Sequence, residues 1–157
     1  MIRALHRLAL RPVHRLRHRW RRWRKTPLEG VTMIARDPEE RLLLVRLSYA
    51  EPGWSLPGGG AKRGEDMAAA AARELAEETG CEAQRVRLVG RMEEVLSGSP
   101  HTAHVFTCLT HDLPRPDGRE VVEARFFPPH SLPYPMTERT QARLAFWREA
   151  ERASTTG

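Results

Sequence analysis

At 157 residues the chain is long enough for one domain of about 100 to 150 residues plus a tail, with an adequate buried core. Two cysteines, Cys81 and Cys108, exclude a disulfide framework and fit a reducing cytoplasm, and no apolar run approaches the ~20 residues that span a membrane. The formal net charge of +6 is a property of one end: ten of the 26 basic residues lie in residues 1–25, which hold no acid, so the 16 bases and 20 acids elsewhere leave the remainder at −4.

The basic segment, residues 1–27, admits three readings. It can be an arm for nucleic acid or for an anionic membrane surface, with Leu16, Trp20 and Trp23 at helical spacing as its apolar stripe. It can be an organelle transit peptide, which is Arg-rich and acid-poor. It can be a helix that packs on the domain or on the second subunit of a homodimer. Pro12 interrupts any long helix, and Arg and His break up any apolar core of secretory type. His6, His14 and His18 form no convincing metal set.

The globular part is expected over residues 28–152, with 153–157 as a short tail. Val31 to Ala35 reads as a strand, Asp37 to Glu40 as a turn, and Arg41 to Leu47 as a second strand with a buried apolar run. Tyr49 to Gly53 read as a loop. Trp54-Ser55-Leu56 leads into a turn at Gly58-Gly59-Gly60. Glycine there permits positive φ and close approach of backbone to a phosphate, although such a triplet alone is more often a plain turn. A helix follows, capped by Asp66 and ended by Gly80 in the left-handed conformation. Its alanines favour the helix strongly, and Ala68, Ala72, Leu75 and Thr79 are expected to face inward. Arg85 to Met92 and Thr102 to Leu109 read as strands joined by the loop Ser97 to Pro100. Leu113 to Gly118 is a Pro-rich turn, Val121 to Phe127 a strand, and Thr137 to Arg152 a final helix with Thr137 as cap and Leu144 and Trp147 inward. This mixture gives the α/β class.

Glu74, Glu77 and Glu78 stand at i, i+3 and i+4 of the first helix. At ~100° per residue they share one face within roughly 100° of arc, where like charges destabilise the helix. A cation bound to that face offsets the repulsion, and oxygen ligands without Cys or His beside them suit Mg²⁺ or Mn²⁺ better than zinc. The plainer reading is a solvated acidic face with Arg73 paired to Glu77.

The full spacing is Gly59-x5-Glu65-x7-Arg73-Glu74-Leu75-x-Glu77-Glu78-x-Gly80-Cys81, preceded by Leu56-Pro57-Gly58. It closely resembles the signature of the Nudix hydrolases, the MutT-like enzymes acting on nucleoside diphosphates linked to another group. The motif covers residues 59–81, and looser likeness extends over about residues 30–150. Cys81 replaces a larger aliphatic residue, a mild departure because cysteine behaves as a small hydrophobe.

The resemblance implies an α/β/α sandwich around a mixed sheet. It implies metal held by Glu74, Glu77 and Glu78, with Glu78 first and Glu77 next as the group serving the attacking water. Gly58, Gly59 and Gly60 would meet a phosphate, and Glu65 and Arg73 would tie the loop to the helix as an ion pair. Glu120 or Glu123, at the start of the late strand, can add a ligand; the bland alternative makes each a surface residue. The activity implied is metal-dependent hydrolysis of an ADP-ribose-like compound, a nucleoside triphosphate or a dinucleoside polyphosphate. Two other readings are a nucleotide-sensing domain without catalysis, against which the intact carboxylate set argues, and a pyrophosphohydrolase of RNA ends using the basic tail. Where some subfamilies carry a Pro or Tyr beyond the motif, this chain has Ser97 and Gly98, with Pro100 displaced. The proline-rich motif of NADH-specific members and the coenzyme A motif are absent. Base recognition is expected from residues 97–104 and the sheet, with His101 and His104 either part of it or on the surface.

Overall fold

The structure, a computed structural model, describes residues 28–48, 52–96 and 98–156. The basic segment lies outside the described residues, and with it the arm, transit-peptide and packed-helix readings. In chain order the described elements are β1 (Leu28–Arg36), β2 (Leu42–Leu47), β3 (Trp54–Ser55), β4 (Gly58–Gly60), α1 (Met67–Thr79), β5 (Gln84–Leu96), β6 (Ser99–Leu109), β7 (Val121–Phe127) and α2 (Glu138–Thr155). All the strands join one mixed sheet, ordered β3-β2-β1-β6-β5, with β4 added to β1 and β7 to β2. β1 runs parallel to β6 along its whole length, while the other pairings are antiparallel.

The free edge of β1 is divided between two partners. Its last residue pairs with β2 at Arg36↔Leu42, and its first half pairs with β4 from Gly30↔Gly60 to Thr32↔Gly58. The glycine strand is therefore wedged where the two branches of the sheet part.

Strand alternation sends side chains to two separate cores. Val31, Met33 and Ala35 of β1 join Leu43, Phe106 and Cys108 beneath Ala70, Ala71 and Leu75 of α1. Ile34, Leu42, Leu44 and Val105 meet Leu144 and Trp147 of α2 on the opposite face. The helices thus sandwich the sheet. Among the described residues no helix is long and apolar enough to cross a membrane.

The helix boundaries follow capping chemistry. Asp66 accepts a hydrogen bond from Ala69 N at 2.9 Å, and Gly80 sits at φ 71° with its N–H on Ala76 O. Thr137 caps α2, which runs to Thr155, beyond the expected Arg152. The inward face of α1 differs from the expected one: Ala70 and Ala71 are fully buried with Leu75 and Thr79, whereas Ala68 and Ala72 are only half-buried. Glu78 also turns inward, so the buried stripe runs through Ala70, Ala71, Leu75, Glu78 and Thr79.

Two loops expected from sequence are strands instead. Ser99 and Pro100 belong to β6, opposite Leu96 and Val95 of β5. Pro100 lies before His101, where β6 starts to pair with β1, so its missing N–H breaks no bond to that strand. Gly98 takes φ 79° at the hairpin tip. The second is the glycine triplet, which is strand β4 and not a turn.

Candidate active site

Gly58, Gly59 and Gly60 are absent from the set of residues at positive φ, so conformational freedom does not explain them. Close approach does. A Cβ on Gly58 would stand 2.2 Å from Val31 O, and one on Gly59 would stand 2.6 Å from Glu74 Cδ. The lack of side chains lets the Glu74 carboxylate lie directly on the strand and lets Gly58 reach Glu78.

Glu78 is only 5 % exposed and accepts a hydrogen bond from Gly58 N at 3.3 Å. Burial raises its pKa well above the carboxylate range. Repulsion by Glu74, Glu120 and Asp117 adds to the rise, and the Gly58 N–H opposes it. Carboxyl groups are therefore crowded beside the glycine strand.

Arg73 ties this region together. Its Nε donates to Glu65 Oε1 at 2.7 Å and its Nη2 to Glu65 Oε2 at 3.0 Å. Nη2 also donates to Gly60 O at 3.1 Å, and Nη1 reaches Glu74 Oε1 at 3.1 Å and Glu77 Oε2 at 3.3 Å. One guanidinium thus spans loop, glycine strand and helix, a geometry that a lysine point charge does not reproduce. Arg73, helped by the backbone N–H of Lys62, holds the Glu65 carboxyl down to about 2.

The other proposed ligands are placed unequally. Glu77 is half-exposed and turned to Arg73. Glu120 lies close enough to act on the Glu78 charge. Glu123 is instead held by Arg46 at 3.1 Å across the β2–β7 pairing and by Arg125 of its own strand at 3.6 Å. Among the described residues no group of three His, Cys, Asp or Glu side chains is gathered tightly enough to hold a metal ion outright. The donor chemistry fits a hard divalent cation all the same: Glu74, Glu120 and Asp117 repel the Glu78 carboxylate, and such an ion relieves that repulsion.

Asp117 was not singled out from sequence. Its Oδ1 accepts from the N–H groups of Arg119, Glu120 and Val121 at 2.8 to 3.0 Å, and its own N–H donates to Glu78 O at 3.2 Å. This turn delivers Glu120 to α1. The Pro116-Asp117-Gly118 sequence signals the turn but not its destination. Sequence reading also missed Glu94, Arg139 and Arg143, which surround His101 on the α2 face. His101 and His104 are both 7 % exposed, so neither is a surface residue.

A family model of the NUDIX domain matches residues 26–147. The RNA pyrophosphohydrolase of Caulobacter vibrioides is 44 % identical over 69 residues, 43 % of this chain and 38 % of that one. The RNA pyrophosphohydrolase of Sphingopyxis alaskensis is 38 % identical over 68 residues, 43 % of this chain and 42 % of its own length. The match thus spans about two-fifths of these curated relatives. A MutT NUDIX hydrolase from Burkholderia pseudomallei superposes with a TM-score of 0.69 at 25 % identity, covering 76 % of this chain and 97 % of that one. The NUDIX domain of Shewanella oneidensis NrtR, solved with ADP ribose, shares the fold with a TM-score of 0.67 at 18 % identity, over 79 % of this chain and 88 % of that one.

Proposed function

The chain belongs to the NUDIX family, and from that membership we propose that it hydrolyses the pyrophosphate bridge of a nucleoside diphosphate linked to another group, with Mg²⁺ or Mn²⁺. The observation that carries this reading is the buried Glu78 carboxylate, pressed against a glycine strand among Glu74, Glu120 and Asp117. Carboxylates crowded on Glu78 repel a phosphate unless a cation joins them.

Glu74 and Glu78, with Glu77 and Glu120 at the margin, would hold the ion. When bound, it supplies neutralisation of the phosphate oxygens and a more acidic water. The chain's own contribution is positioning and proton transfer. Arg73 fixes Glu74 and Glu77 relative to Gly60. Glu78, the buried carboxylate beside Gly58 N, accepts the proton of the attacking water. Gly59 leaves room for the Glu74 carboxylate on β4, which would set a bound ion and its phosphate beside the strand.

Water attacks phosphorus, a new P–O bond forms, and the bridging P–O bond breaks with its electron pair leaving on the bridging oxygen. The products are a nucleoside monophosphate and a phosphorylated second group, or pyrophosphate from a triphosphate. The test is a substrate panel of ADP-ribose, nucleoside triphosphates, dinucleoside polyphosphates and triphosphate-ended RNA, with Mg²⁺ and again with EDTA. The RNA belongs in the panel because RNA pyrophosphohydrolases match the chain. Metal-dependent release of a monophosphate or pyrophosphate is the expected result. No cleavage of any member, with Mg²⁺ or Mn²⁺, would favour the nucleotide-sensing reading.

A further inference from the structure

The opposite face of the sheet carries a second charged group that the chemistry above does not use. Glu94 of β5 and His101 of β6 are cross-strand partners, and His101 Nδ1 lies 2.8 Å from Glu94 Oε1. The same oxygen accepts from Arg143 Nη2 of α2 at 2.8 Å and lies 3.8 Å from Arg139 Nε. Two guanidinium charges and a histidine thus converge on one carboxylate oxygen. Arg143 is 11 % exposed, and its Nε is buried without a hydrogen-bond partner. Burial lowers its pKa to about 10 despite Glu94, with Arg139 adding to the fall.

Arg143 is the buried cation of the group and is paired with Glu94, yet its Nε still lacks an acceptor, so the guanidinium has a donor left for a further ligand. The location is also informative. A Cβ on Gly30 would stand 2.7 Å from His101 Nε2 and 3.3 Å from Gly59 O. His101 therefore lies against the residue that pairs with Gly60, just as Glu74 lies against Gly59. The two charged groups are separated by little more than backbone, where the sheet divides.

We propose that Arg139, Arg143 and His101, gathered by Glu94, form an anion subsite that takes a phosphate group of the substrate other than the one attacked. This rests on the reading that the substrate carries more than one phosphate. Guanidinium groups on α2 supply the fork-shaped donors that phosphate oxygens accept, and Glu94 holds those donors in place while the site is empty.

The test is binding of AMP, inorganic phosphate and adenosine in EDTA, followed by calorimetry and by the His101 ring resonances. AMP and phosphate should bind and shift His101, and adenosine should not. Arg139 is 44 % exposed, so Arg139→Gln should fold normally, and it should weaken phosphate binding about tenfold. Glu94→Gln removes the competing carboxylate and should tighten binding. Binding that is absent, unchanged in Arg139→Gln, or weakened in a folded Glu94→Gln protein would overturn the subsite. If nothing in the substrate panel is hydrolysed while phosphate binding still follows Arg139, the hydrolase reading fails and the subsite stands.

Discussion

The two faces of the sheet carry charge by different means. On the α1 face, Glu65, Arg73, Glu74 and Glu78 come from one short stretch, and a helix period sets the last three. On the α2 face, Glu94 and Arg143 are 49 positions apart and meet only because hairpin and helix pack together. The first arrangement is written in local spacing. The second depends on the whole fold, so changes that disturb the packing of α2 should leave the first standing.

The sharpest break in that comparison is Glu78→Gln. It keeps shape and removes the buried carboxylate, so turnover should fall ~10² or more, about 2.7 kcal/mol of barrier. Melting temperature should hold or rise, because a buried, repelled charge has gone. Near wild-type turnover on any panel substrate would refute the assignment.

Gly58→Ala comes next. The new methyl would meet Val31 O, a backbone atom that cannot swing aside. A loss of about 1 to 3 kcal/mol, read as a lower denaturant midpoint, is expected from such overpacking. On the α2 face, Gly90→Ala should do less. Its Cβ would stand 2.7 Å from Phe146 Cζ, the far end of a side chain that can rotate. A drop of ~1 kcal/mol in stability, smaller than that of Gly58→Ala, would keep the two faces distinct; an equal or larger drop would contradict the contrast.

The smallest effect is a pH dependence. Burial lowers the His101 pKa, against the attraction of Glu94 and with the repulsion of Arg143 and Arg139. The unfolded chain then binds the proton more readily. The stability contribution of His101 is fully present above the ordinary value of 6.5 and is lost as pH falls through the lower folded value. Urea midpoints between pH 7 and pH 5 should fall less in His101→Gln than in wild type. Equal slopes would remove His101 from the charge balance of α2.

How far sequence carried these faces follows from the same contrast. The caps at Asp66, Gly80 and Thr137 and the strand Val121–Phe127 were legible because local chemistry fixes them. The glycine strand was not. Three glycines signal a turn, and only the position of Val31 and Glu74 makes them an extended strand. The inward turn of Glu78 was equally hidden, since helix periodicity places it on the acidic face and the burial comes from β4 and the Asp117 turn. Glu94 with Arg143 had no signature, because no spacing rule links a hairpin to a helix so distant in sequence.

The central claim is direct attack by water on phosphorus at the Glu78 face. Single-turnover hydrolysis of a panel substrate in ¹⁸O-labelled water, with wild type and Glu78→Gln side by side, tests it most directly. One ¹⁸O should appear on a phosphorus of the cleaved bridge in wild type, at a rate lowered ~10² or more in Glu78→Gln. Label found only on carbon, a trapped phospho-enzyme, or equal rates in the two proteins would contradict it.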